Sequence, residues 1–129
     1  MTKGMRRSTG GDDHIMPFTE FTKKLIETKL NDYCERRIPI DVRDQLKLTY
    51  KIIRYKVNLV ETRPYHRDPA IRTETPIAQF RFDSATQKWS LFSFGRNDRW
   101  HLYDLIKPSI DFDDMLKALD NDKTGRFWG

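Results

Sequence analysis

Apolar and polar positions change period along the chain. From Pro17 to about Arg37, Phe18, Phe21, Leu25, Ile26, Leu30, Tyr33 and Cys34 recur at helical spacing, with Lys23, Lys24, Glu27, Lys29, Glu35 and Arg36 filling the other positions. This predicts an amphipathic helix with Pro17 in its first turn, where a missing N–H costs nothing. Pro39 stops it, because the residue before a proline avoids the α region. The period then drops to two. Leu46, Leu48, Tyr50 and Ile52 alternate with Lys47, Thr49 and Lys51. After a turn near Arg54, Val57, Leu59 and Glu61 share one side of the next run, and two runs so close together read as a hairpin. Pro76 to Leu105 reads as three further short strands, joined by tight turns at Ser84–Gln87 and Gly95–Asp98. A short helix is predicted over Asp111–Leu119, with Asp111, Asp113 and Asp114 at its start, where carboxylates meet free N–H groups and the helix dipole.

These elements predict an α+β fold: an N-terminal helix, an antiparallel meander of about five strands, and a short C-terminal helix. Two aromatics at a terminus, Phe127 and Trp128, are expected to dock back on the sheet. In the fourth strand Trp89 and Leu91 face one way and Phe92 and Phe94 the other, which marks a central strand. The second face is read as carrying Phe92, Phe94, Arg99, His101 and Tyr103. Aromatics and cations on an open sheet stack bases and hold a phosphate backbone. Because aromatics make up 12% of the chain, cover of that face by a second helix or by the tail is the favoured arrangement.

Length allows one domain, residues 16–129, behind a Gly- and Ser-containing leader at 1–15 that is expected to be disordered. Charged residues make up 33% and the net charge is +5, which favours an acidic partner such as nucleic acid. The excess is uneven. Residues 1–103 carry 20 basic and 13 acidic side chains, net +7, whereas residues 104–129 carry 4 and 6, net −2. A single cysteine, Cys34, rules out an intramolecular disulfide and fits a reducing cytoplasm. No run approaches the ~20 apolar residues of a membrane helix.

Candidate chemistry is sparse. Arg63–Thr75 lacks periodicity and reads as a long connection, holding Arg63, Tyr65, His66, Arg67 and Arg72 as the best candidate binding loop. Arg99, His101 and Tyr103 join them from the sheet face. Glu61 and Arg63 share a strand side and read as a buried ion pair; a nuclease motif would need a lysine in place of Arg63. Asp120-Asn121-Asp122-Lys123-Thr124-Gly125 imitates half of a calcium loop, but the bidentate glutamate would fall beyond Gly129, and a helix-ending turn at Gly125 explains the run. Cys34 lacks a histidine close in sequence and reads as a structural thiol. With no convergent nucleophile, base and electrophile, the expectation is a non-catalytic binding protein without metal or cofactor. Its expected partner is nucleic acid. A protein-interaction module acting on a larger complex is the alternative, and a small nuclease or hydrolase comes third.

Four features carry a resemblance: Glu61-x-Arg63-Pro64, Lys88-Trp89, Arg99-Trp100-x-x-Tyr103, and an acidic helix ending in Gly125-x-Phe127-Trp128-Gly129. From about Phe18 to Gly129 the chain resembles a family of small bacterial proteins catalogued as a domain of unknown function. The resemblance implies a stand-alone cytoplasmic domain and carries over no catalytic role.

Overall fold

The computed structural model describes residues 19–128, so the leader at 1–15, Pro17, Phe18 and Gly129 lie outside the described residues. Helix α1 runs over Glu20–Arg37. Thr19 caps it, its Oγ1 accepting the Thr22 N–H at 3.1 Å. The helix therefore starts three residues after Pro17. Ile26, Leu30 and Tyr33 form its buried stripe. Phe21 and Leu25 were expected on the same face, yet they are 78% and 45% exposed. At 3.6 residues per turn they fall to one side of the stripe that Ile26, Leu30 and Tyr33 define.

Five strands follow: β1 (Lys47–Ile53), β2 (Lys56–Tyr65), β3 (Asp68–Asp83), β4 (Lys88–Gly95) and β5 (Arg99–Leu102). They form one antiparallel sheet in sequential order, and helix α2 (Phe112–Asn121) comes last. The α+β meander expected from the sequence is the fold observed.

The stretch Arg63–Thr75 is not a loop. Strands β2 and β3 stay paired through Arg63↔Thr73 and Pro64↔Arg72 to a turn between Tyr65 and Asp68. Strand β1 reaches only Thr62, and β4 first pairs with β3 at Ala78, so this part of the hairpin projects beyond the sheet as a two-stranded arm. An arm wet on both sides needs no apolar alternation, which is why no strand period is visible in its sequence. Among the described residues no further strand pairs with its outer edges, and edge positions tolerate prolines such as Pro64 and Pro69.

Helices α1 and α2 share one face of the sheet, over a core that includes Val57, Leu59, Phe80, Trp89 and Leu91. Phe112, the first residue of α2, plugs between Phe80 and Trp89 with ring centroids 4.9 Å from each. Trp89 in turn lies 4.9 Å from Phe82. The chain is steered there by Ser109, which exchanges two backbone hydrogen bonds with Trp89 and donates from Oγ to Asp114 at 2.6 Å. Asp111 caps α2 by accepting the Asp113 N–H at 2.9 Å.

The C-terminal tail docks as expected. Asp122 ends α2 in the left-handed region, and its two carboxylate oxygens accept the N–H groups of Phe127 and Trp128 at 3.2 and 2.9 Å. Phe127 then packs edge-on against Tyr103, while the Trp128 indole donates to the Leu119 carbonyl under the Arg37 guanidinium. Asp120 joins both helices, accepting from the Tyr33 hydroxyl at 2.8 Å beside Arg36 and Arg37. Tail and helices thus occupy the same side. The expectation that one of them covers the second sheet face is overturned: among the described residues that face carries no helix.

If Phe112 is the plug of this core, Phe112→Ala will cost about 3–5 kcal/mol in urea unfolding followed by circular dichroism. Phe21→Ala, at an exposed position, will change stability by less than about 0.5 kcal/mol. A loss below about 1 kcal/mol at Phe112 would mean that α2 is held by its polar anchors instead.

Candidate functional site

Register decides what the uncovered face presents. Three residues, Arg96–Asp98, connect β4 to β5, and the pairs Gly95↔Arg99, Ser93↔His101, Phe94↔Trp100 and Phe92↔Leu102 follow. An odd number of turn residues keeps odd-numbered positions together across the turn. Phe92 and Phe94 therefore share their face with Trp100 and Leu102, with Phe94 and Trp100 edge-on at 5.0 Å. Arg99, His101 and Tyr103 lie on the other face, with the helices. This corrects the expected constellation.

The eight expected site residues separate into three groups. Tyr65, His66 and Arg67 meet at the arm tip, with the Tyr65 and His66 rings 5.0 Å apart. Arg63 and Arg72 sit on opposite sides of the arm. Arg63 donates from Nε to Glu61 at 2.9 Å, so an ion pair forms but not the buried one expected, because Glu61 is largely buried while Arg63 lies in solvent. Arg72 folds over Thr62, donating to its hydroxyl at 3.0 Å and its carbonyl at 3.1 Å. Arg99 and His101 are exposed on β5. The His101 ring crosses Gly95 so closely that a Cβ there would stand 2.7 Å from its Cδ2, which is why the position suits glycine. Tyr103 is 2% exposed beneath Phe127 and offers no surface.

Sequence reasoning missed a group at the centre of the open face. Arg81 places its guanidinium carbon 3.8 Å from the centroid of Phe92. Its Nε donates to Gln79 at 2.6 Å, and Gln79 donates to Asn58 at 2.7 Å. Gln79 is buried although it points away from the helices, because this relay closes over it. The cross-strand pairs place Lys47, Lys51, Lys56, Arg72, Arg81 and Lys88 on this face, against Glu74 and Asp83. Of these cations, Lys51 reaches Glu74 at 3.6 Å. The face is thus basic and aromatic together. Period-two alternation with Phe80 and Phe82 already put Arg81 opposite the core, and that was the available signal.

Two alternative chemistries meet structural answers. The half calcium loop uses Asp122 as an acceptor for two tail N–H groups, and among the described residues no cluster of three or more His, Cys, Asp or Glu side chains has metal-binding geometry. The helix-ending turn expected at Gly125 comes earlier, because α2 ends at Asn121 with Asp122 as its left-handed cap, and Gly125 turns the tail beyond it at φ 69°. Burial pushes the Cys34 thiol up to about 11, opposite to the shift a nucleophilic cysteine needs.

Residues 18–129 match a family described as a domain of unknown function, DUF3024. The chain belongs to this family. Neither the curated proteins nor the solved structures contain a match. Several residues behind the family resemblance have visible structural duties. Trp89, Tyr103 and Phe127 are core residues, and Glu61 and Arg63 close the base of the arm. The open-face platform of Arg81 and Phe92 lies outside those motifs.

The raised thiol pKa has a kinetic consequence. With the ordinary value at 9.0 and the folded value at about 11, the thiolate fraction near pH 8 falls roughly 100-fold. Alkylation of Cys34 by iodoacetamide at pH 8 should be slower than in urea by roughly tenfold, because the greater nucleophilicity of a higher-pKa thiolate offsets part of its scarcity. Because the folded pKa is the higher one, this contribution to stability is full below pH 9 and fades as pH rises towards 11. Native-state alkylation as fast as in urea would contradict the burial.

Proposed function

We propose that this DUF3024 chain is a non-catalytic nucleic-acid-binding protein that takes a single strand across the open sheet face. One observation carries the reading: an exposed antiparallel sheet surface holding the Arg81–Phe92 stack and the Phe94–Trp100 pair among six cations and two carboxylates. Bases stack on aromatic rings and guanidinium planes without regard to sequence, and lysines along the same surface neutralise phosphates. A duplex presents its bases edge-on within grooves and offers no ring faces to such a surface, so single strands bind better.

The arm extends this interface. Arg72 belongs to the open face and leads to Arg67 and His66 at the tip, so backbone contacts continue beyond the sheet. Its half-buried tip aromatic and an exposed apolar residue also favour the second reading, a protein-interaction module. Tyr65 at the tip and Ile71, 54% exposed, are of the type that anchors protein contacts.

Fluorescence anisotropy with labelled ten-nucleotide single strands and matched duplexes tests the proposal. Single strands are expected to bind more tightly, with affinity falling steeply as salt rises. Lys51→Ala combined with Lys88→Ala will flatten the salt slope by about 0.7 for each phosphate no longer neutralised. Trp100→Ala will weaken binding by about 1–3 kcal/mol with the slope unchanged. Absence of binding at low salt ends this reading and leaves the arm as a protein-binding element.

A further inference from the structure

A cleft of about 390 Å³ opens at one end of the open face, where the β1–β2 and β3–β4 turns meet. Tyr55, Arg81, Phe82, Asp83, Ser84, Ser90 and Phe92 line it. Its volume is at the low end of the roughly 300–1,000 Å³ typical of small-ligand sites, enough for one planar heterocycle with its sugar. Three features give it chemical character.

The first is a prepared stacking surface. Arg81 has Phe92 under one side of its guanidinium and is held by Gln79, itself held by Asn58. A side chain fixed this way loses little freedom when a ring lands on its other side. The second is a carboxylate at the rim. Asp83 uses Oδ1 to accept the Ala85 N–H at 3.0 Å, which fixes the carboxylate while Oδ2 and the second lone pair of Oδ1 remain acceptors. The third is the positive surround, with Lys56 and Lys88 directly paired across the strands to Arg81 and Asp83.

A carboxylate beside a stacking plane selects among bases. It only accepts hydrogen bonds, so it matches an edge with two adjacent donors. Guanine presents that edge through its N1–H and 2-amino groups. Adenine has an acceptor at N1, and uracil and thymine place carbonyls on both sides of their N–H. Cytosine offers a single amino group. Resting on the single-strand reading above, we infer that this cleft is a guanine-binding subsite, with Arg81 stacking on the base, Asp83 accepting from its N1–H and 2-amino groups, and Lys56 or Lys88 meeting the adjoining phosphate.

Isothermal titration of the full chain with mononucleotides tests this directly. Guanosine 5′-monophosphate should bind at least about tenfold more tightly than adenosine 5′-monophosphate, and inosine 5′-monophosphate, which lacks the 2-amino group, should fall between them. Asp83→Asn keeps an oxygen for the Ala85 N–H, so the turn is retained, but it sets donors against donors and should remove the preference for guanine. Equal binding of the three nucleotides to the unaltered protein, or a preference that survives Asp83→Asn, overturns the subsite.

Ten-nucleotide thymine strands with and without one central guanine separate the two levels. Equal, salt-dependent binding of both leaves the open-face reading standing and removes the guanine subsite. Selective binding of guanosine 5′-monophosphate, with no binding of either strand, keeps the subsite and removes the extended interface.

Discussion

Phe112 joins the parts of this molecule that would otherwise be separate. The sheet alone is a twisted meander with one apolar face, and α1 reaches chiefly the side near β1. Phe112 brings α2 onto the other half by inserting between Phe80 and Trp89, which belong to adjacent strands. Burial of a side chain this size contributes about 1.5–3 kcal/mol, a large share of the roughly 5–15 kcal/mol that separates folded from unfolded domains. Ser109 and Asp111 aim the helix, and its far end positions Asp120 and Asp122 to gather α1 and the tail. All of this covers one face.

The uncovered face follows from that asymmetry. With both helices and the tail on the same side, Phe92, Phe94 and Trp100 remain half-exposed at the surface. Large aromatics left in water cost free energy unless something else covers them, and here Phe92, Phe94, Trp100 and Leu102 form one apolar patch on β4 and β5, bordered by the cations of β1 to β4. On the reading proposed above, a partner for such a surface brings both flat rings and negative charge. Single-stranded nucleic acid combines the two, and the Asn58–Gln79–Arg81 relay gives the platform a fixed orientation before any ligand arrives.

Much of the fold was legible because its signals are local. Leu48, Tyr50 and Ile52, then Val57 and Leu59, then Phe80 and Phe82, alternate cleanly since each strand has one dry face. The arm was illegible for the complementary reason. Residues 66–75 are exposed, so nothing in their side chains records that the backbone is paired. The constellation of Phe92 and Phe94 with Arg99, His101 and Tyr103 failed on one residue of turn length, because a shift of one in register moves every side chain to the opposite face.

Element order, the α+β class, the strand on which Trp89 and Phe92 face apart, and the acidic cap of α2 could all be read from the amino-acid order. Each depends on residues within a turn or a strand of one another. Packing was needed to choose the covered face, to place Tyr103 in the core, and to bring Arg81, Phe92 and Asp83 to one cleft. Those outcomes depend on how the three-residue β4–β5 turn sets register and on where Phe112 docks, and alternation within a single strand carries no information about either.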